Sequence, residues 1–252
     1  MNYMTAKEAA DFWGISQRRV ATLCAEGRIK NAEMLSNMWL IPKDSQKPED
    51  GRSLRYLKEQ KIKPFLKWVG GKGQILDEIK RYYPAELGKQ IYKYAEPFVG
   101  GGAVLLDVLS NYDIDEVYIS DSNAELINVY ISLRDKYDAL TTLLKEYESD
   151  YLLLDNDRRK LFYYEKRSRF NHLKKADQHD VELAALFIFL NKTCFNGLYR
   201  VNSKGEYNVP MGSYKSPMIC DEDNLRRVSK VLNGVTIVCA DYKKSASFID
   251  KH

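Results

Sequence analysis

The stretch Ala95-Glu96-Pro97-Phe98-Val99-Gly100-Gly101-Gly102-Ala103 decides the fold. Lys93–Pro97 reads as a strand ending at a turn, and Ala103–Leu109 reads as the helix that follows. Three glycines between a strand and a helix let the backbone approach a ligand where a Cβ would clash. Working outward, Val117–Ser120 forms a second strand that runs into Ser120-Asp121-Ser122-Asn123, followed by a helical Ala124–Arg134. A carboxylate at the tip of that strand can accept hydrogen bonds from both hydroxyls of a ribose. Phe187–Asn191 and Val235–Ala240 supply further apolar segments. Strand, glycine loop, helix and strand in this order predict a parallel, doubly wound α/β sheet.

A glycine loop with an acid one strand later suits any adenosine-containing cofactor, and a purely structural tight turn is the alternative. NAD(P) is the natural rival. Its enzymes space their glycines G-x-G-x-x-G so that the diphosphate meets a helix N-terminus. Here the glycines are contiguous and follow Pro97-Phe98, which favours a ligand without diphosphate and with an aromatic ring nearby.

Residues 1–50 read as a separate module. Thr5 can cap a first helix through about Trp13, Gly14 makes the turn, and Ser16 can cap a second helix ending near Gly27. Ala32–Leu35 and Met38–Ile41 flank Ser36-Asn37, the pattern of a short hairpin or wing. The module resembles the winged helix-turn-helix domains of excisionase-type regulators, which would set Gln17, Arg18 and Arg19 near DNA. Its seven basic and seven acidic residues give a weak electrostatic drive, so protein docking or a structural role stays open. Residues 43–63 are polar, with Pro48 and Gly51, and read as a linker followed by a short helix. The expected domains are 1–46, a linker 47–62, and 63–252 with a target-recognition insertion at about 138–215.

Charge is uneven behind the net +4. Residues 51–90 carry ten Lys/Arg against four acids and residues 158–175 eight against one, whereas residues 111–157 carry three against twelve. A basic face suits a polyanion because each neutralised phosphate releases counterions, although charge can also cluster on a solvated surface. Arg158–Lys175 interleaves basic and aromatic residues at helical spacing, which fits phosphate gripping, a core-facing Phe162, Tyr163 and Phe170, or both. The longest apolar run, Ala184–Leu190, is too short to span a membrane, which takes about 20 residues, and no secretory signal is read at Met1–Ala10. Cys24, Cys194, Cys220 and Cys239 are scattered with no CxxC pair, which suggests reduced thiols in a cytoplasm and no metal site.

Phe65-Leu66-Lys67-Trp68-Val69-Gly70-Gly71-Lys72, Glu96–Gly102, Ser120–Asn123, Asn196-Gly197-Leu198-Tyr199-Arg200 and Gly205–Gly212 occur in the order found in Dam-type (D12 class) DNA adenine methyltransferases. From Lys63 to Asp241 the chain resembles that family. The resemblance implies a Rossmann-like S-adenosylmethionine-dependent methyltransferase sheet with a helical and β-hairpin target-recognition region. It matches Trp68, Val69 and Lys72 to the methionine end of S-adenosylmethionine, and Glu96, Phe98 and Gly100 to the glycine-loop contacts. Asp121 matches the ribose ligand, and Asp241-Tyr242 the place where the family closes over the adenine. On the double-stranded DNA side, with GATC as the implied target, Arg200 matches a bidentate contact to guanine, and Leu198 with Pro210 the apolar contacts to thymine. Phe195 matches the inserted side chain, Lys67 a contact to the outer guanine, and Asn196 one near the extruded base. The Val201–Pro210 segment reads as a hairpin turning at Ser203-Lys204-Gly205, a device suited to the major groove. A restriction endonuclease companion is a partner the resemblance leaves open.

Methylating an exocyclic amine requires a flipped adenine whose nitrogen is aimed at the sulfonium methyl. The family does this with Asp-Pro-Pro-Tyr. None of the seven prolines (Pro42, Pro48, Pro64, Pro84, Pro97, Pro210, Pro217) adjoins another, so the motif does not occur in these 252 residues. The expectation is a truncated enzyme, inactive alone; the alternative is a non-catalytic DNA-binding regulator keeping a vestigial cofactor fold.

Overall fold

The computed structural model describes residues 3–25, 29–35, 38–47 and 62–249. The chain divides into two compact units, residues 1–60 and 61–252.

In the first unit, β1 (Tyr3–Thr5) leads directly into α1 (Ala6–Trp13), then α2 (Gln17–Ala25), β2 (Glu33–Leu35) and β3 (Met38–Pro42). Thr5 and Glu8 form a capping box at α1, and Gly14 ends it at φ 64°, a left-handed turn that glycine adopts without strain. Ser16 Oγ accepts from Arg19 N at 3.3 Å, as the expected cap of α2. The strands pair antiparallel in the order β1-β3-β2, over a core of Met4, Ala9, Ala10, Trp13, Val20, Leu23 and Ile41. The strand Tyr3–Thr5 has no counterpart in the sequence pattern: three residues are too few to show an alternation, and only pairing to β3 makes them a strand. The turn Ser36-Asn37, the end of α2 at Gly27 and the short helix expected in the linker lie outside the described residues.

The second unit carries β4 (Lys93–Glu96), β5 (Glu116–Asp121) and β6 (Thr236–Cys239) as a parallel sheet with β5 in the middle. α3 (Leu76–Lys80) precedes the sheet. Between β4 and β5 runs α4 (Ala103–Asn111), as parallel pairing requires. After β5 come α5 (Ala124–Asp135), α6 (Tyr137–Leu153), α7 (Asn156–Lys175) and α8 (Val181–Thr193), then α9 (Glu222–Val231). Asn123 caps α5 and Asp180 caps α8 through their side-chain oxygens. Phe187–Asn191, whose element type periodicity leaves undecided, belongs to α8. Every residue from Leu183 to Asn191 is buried, so this helix is apolar nearly all round and packs against α5, α6 and α7. Phe189 sits at 5.5–6.5 Å from Tyr147, Tyr151, Phe162 and Tyr163. Each such side chain contributes about 1.5–3 kcal/mol on burial. This centre fixes α5 and α8, the helices that carry side chains to both faces described next.

No helix among the described residues is long and apolar enough to cross a membrane, and no cluster of three or more His, Cys, Asp or Glu is arranged for a metal.

Candidate cofactor cleft and nucleic-acid loop

A cleft of about 720 Å³ opens at the carboxyl ends of β4 and β5, where ligands sit in open parallel sheets. Trp68, Val69 and Lys72 line one side, Phe98 and Gly100–Gly102 another, and Asp121 reaches in from the tip of the middle strand. The glycines are there for shape. Gly100 (φ 49°) has the Trp68 indole 2.9 Å from where its Cβ would be, and Gly102 (φ 72°) has the Tyr130 hydroxyl at 2.5 Å. Tyr130, fully buried on α5, donates to Gly100 O at 2.9 Å and so holds the bend from below. Gly102→Ala is therefore expected to lower unfolding stability by about 2 kcal/mol from the left-handed backbone alone, with the Tyr130 clash added. Chemical denaturation checks it, and an unchanged midpoint would remove the constraint.

Asp121 is anchored without being saturated. Oδ2 accepts Gly100 N at 3.2 Å and Oδ1 accepts Asn123 N at 3.0 Å. A carboxylate offers about four lone-pair sites, so two acceptor positions remain for a diol. Lys72 Nζ donates to Glu96 Oε1 and to Phe98 O, both at 2.9 Å. An ammonium has three N–H groups, so one is left to aim at an anion in the cleft. Glu96 is buried and does not line the cleft; it works one step behind, taking Lys72 on one oxygen and the Tyr94 hydroxyl on the other at 2.8 Å. Burial, and then the Glu96 charge, push the Tyr94 hydroxyl far above its ordinary pKa, so it stays a neutral donor.

Asp241 and Tyr242 also lie outside the cleft lining. Asp241 Oδ1 accepts Lys243 N at 3.0 Å, capping a short 3-10 turn. The Tyr242 ring stacks on Phe98 at 5.5 Å and 29°. The pair makes an aromatic wall beside the glycine bend.

The second group of residues meets on the loop that follows α8. Phe195 N donates to Pro210 O at 2.9 Å, Asn208 N to Arg200 O at 3.1 Å and Asn202 N to Glu206 O at 2.9 Å. Val201 and Tyr207 form a single antiparallel bridge, and Gly205 makes the turn at φ 76°. The expected hairpin is thus a narrow one. Phe195, Asn196, Arg200 and Pro210 are exposed, whereas Leu198 is half-buried against the core. Arg200 Nε donates to Asn208 Oδ1 at 2.8 Å, which fixes the guanidinium on the hairpin. Lys67 lies with its ammonium 3.8 Å from the Tyr214 ring centre.

α7 carries the hairpin from behind. Tyr163 donates to Val209 O at 2.9 Å, Arg167 to the same oxygen at 3.2 Å, and Asn171 exchanges two bonds with the Tyr207 backbone. Tyr163 and Phe170 are buried and Phe162 packs against Tyr151 and Phe189, the core-facing half of the reading of residues 158–175.

Sequence reading did not single out Tyr94, Tyr130, Asn191, Glu125 or Lys174. Tyr94 and Glu96 stand two apart on one strand face, and Asn191 is a polar residue closing an apolar helical run, which are the signals available. Tyr130 with Gly100, Lys174 and Glu125 with Tyr199, and Asn191 with Lys67 join segments 25 to 124 residues apart, and such pairs are invisible to local pattern.

A family model described as D12 class N6 adenine-specific DNA methyltransferase matches residues 68–251. Similar proteins include a Type II methyltransferase, M.MjaIII, of Methanocaldococcus jannaschii, 50% identical over 75% of this chain and 65% of that protein. Another is the Type II methyltransferase M1.LlaDCHI of Lactococcus lactis, 34% identical over 73% of this chain and 60% of that protein. The DNA adenine methylase of Haemophilus influenzae is 36% identical over 76% and 61% respectively. The chain spans 60 to 65% of the length of these relatives.

Proposed function

The chain belongs to the D12 class of N6 adenine-specific DNA methyltransferases, and on that premise we propose that it binds S-adenosylmethionine in the glycine-lined cleft and reads GATC in duplex DNA with the loop after α8. One observation carries the reading. Motifs separated by tens of residues, Trp68–Lys72, Phe98–Gly102 and Asp121, line a single cleft whose bend excludes a Cβ and whose carboxylate keeps open acceptor sites.

The assignments follow from the chemistry. Asp121 takes the ribose hydroxyls, the remaining Lys72 N–H takes the methionine carboxylate, and Trp68 and Val69 shelter the sulfonium through indole face and apolar contact. Glu96 orients Lys72, Gly100 admits the ligand, and Phe98 with Tyr242 flanks the adenine ring; Asp241 positions Tyr242 through the turn it caps. The bound donor supplies an electrophilic methyl. On the DNA, Arg200 addresses guanine, Leu198 and Pro210 the thymine methyl, Lys67 the outer guanine, Asn196 the extruded nucleotide, and Phe195 inserts into the stack. In the first unit Gln17, Arg18 and Arg19 open α2, and a helix-turn-helix role for that unit would set them near DNA.

Residues 1–252 contain no Asp-Pro-Pro-Tyr, so they are expected to bind donor and target without transferring the methyl group. Calorimetry with S-adenosylmethionine, and competition between GATC and scrambled duplexes, test this. Donor binding and GATC preference are expected. The alternative, a non-catalytic regulator with a vestigial fold, gives DNA binding without donor binding. Tighter binding of NAD than of S-adenosylmethionine would overturn the cofactor assignment.

A further inference from the structure

The donor cleft and the recognition loop are joined by shared side chains. Asn191, only 3% exposed near the end of α8, donates to Lys67 O at 2.7 Å and to Gly197 O at 3.1 Å, and accepts Lys67 N at 2.9 Å. One amide therefore ties the backbone before Trp68 to the backbone after Asn196. Contact there is close enough that a Cβ on Gly197, at φ 64°, would overlap the Lys67 side chain.

Tyr199 makes a second link. Its ring lies against Trp68 at 6.0 Å and 23°, with Phe187 against both. Its hydroxyl donates to Glu125 Oε2 at 3.0 Å and accepts from Lys174 Nζ at 2.9 Å, and Lys174 pairs with Glu125 at 2.8 Å. Glu125 stands in the first turn of α5, the helix entered through Asp121-Ser122-Asn123. Tyr199 thus contacts Trp68, which lines the donor cleft, and the first turn of the helix that follows Asp121, while lying between Leu198 and Arg200. Burial pushes Glu125 up, but its bonds to Lys174 and Tyr199 outweigh this and hold it below the usual carboxylate range. The network stays charged at neutral pH, and displacing the Tyr199 hydroxyl leaves a buried ion pair one partner short.

We infer that Asn191 and Tyr199 are positioning residues that couple the two faces, so that filling the donor cleft sets the recognition loop and the duplex in turn tightens the donor. The inference rests on the function proposed above. Neither residue touches donor or base; each acts through its neighbour, Asn191 through Lys67 and Gly197, Tyr199 through Trp68 and Arg200. Coupling between two binding sites is reciprocal, and a factor of about five or more is typical.

The test is calorimetric titration of S-adenosylmethionine into the full chain, with and without a saturating GATC duplex. In the wild type the duplex is expected to lower the donor Kd about fivefold or more. Tyr199→Leu removes ring and hydroxyl together and is expected to bring that factor close to one. A merely structural Tyr199 would lower the melting temperature and leave the factor at its wild-type size, which overturns the inference, as does a wild-type factor of one. Should Tyr199→Leu not fold, Tyr199→Phe, which keeps the ring and its volume, decides: a factor reduced by about twofold or more supports the coupling, and an unchanged one overturns it. A wild type that binds no donor even without DNA defeats the proposed function instead.

Discussion

Asp121→Ala is expected to raise the Kd for S-adenosylmethionine about 100-fold in a calorimetric titration. The figure follows from the bonds lost. A hydrogen bond to a charged group is worth about 1.5–3 kcal/mol, and a ribose diol would engage the two acceptor positions that Gly100 and Asn123 leave open. At the lower end of that range two such bonds come to about 3 kcal/mol, and about 1.4 kcal/mol is a tenfold change in affinity. The strand itself should stay in place, because its last register is held by the backbone: Ala240 N donates to Asp121 O at 3.1 Å and Asp121 pairs with Cys239. A circular dichroism melt close to wild type, together with a lost heat of binding, is the expected combination. Unchanged donor affinity would remove Asp121 from the site. Asp121→Asn, which keeps one acceptor oxygen, should fall between the two.

Arg200→Ala is expected to abolish most discrimination between GATC and a duplex with its guanine replaced. Bidentate arginine–guanine recognition is worth about 1–3 kcal/mol, roughly 5- to 150-fold. The arginine stands exposed on a narrow hairpin, with Nε held by Asn208 Oδ1 at 2.8 Å and Nη2 3.5 Å from Asn208 O, so the guanidinium is presented with little rotamer freedom left to lose. Binding to non-target duplex should change little, and the salt dependence should keep its slope, since phosphate contacts set that slope. A competition assay reads both quantities. A fall in affinity that is uniform across sequences, with a shallower salt slope, would make Arg200 a backbone contact.

The parts of this molecule that sequence makes legible are those encoded locally. Gly100–Gly102 announce a bend because only glycine tolerates φ 49° and 72° beside an indole and a buried hydroxyl. Asp121 is legible because strand, acid and helix cap lie within a few residues. The capping box Thr5–Glu8 and the turn at Gly205 are local for the same reason. What sequence leaves open is whatever is created by folding. A short apolar run such as Phe187–Asn191 suits strand and helix equally until α5, α6 and α7 close around it. Glu96 is a glycine-loop residue by pattern, yet its carboxylate is turned toward Lys72 and Tyr94, an arrangement needing two other segments. Asp241 and Tyr242 follow the strand as expected, but local capping by Asp241 takes its carboxylate out of the cleft lining. Tyr199 gave no local signal because Glu125, Lys174, Trp68 and Phe187, which it meets, come from α5, α7, the loop before α3 and α8.

The manner in which α7 carries the hairpin has an evolutionary corollary. Tyr163 and Arg167 grip the carbonyl of Val209, and Asn171 grips the main chain of Tyr207. A grip on main-chain atoms is blind to which side chains the outward positions bear. The exposed residues at 200 and 210 can therefore be exchanged, by drift or by grafting, while the scaffold keeps presenting them at the same height. If the hairpin reads duplex DNA as proposed, new preferences among short sequences would arise by trading a few tips on an unchanged stem, without the core having to be solved again.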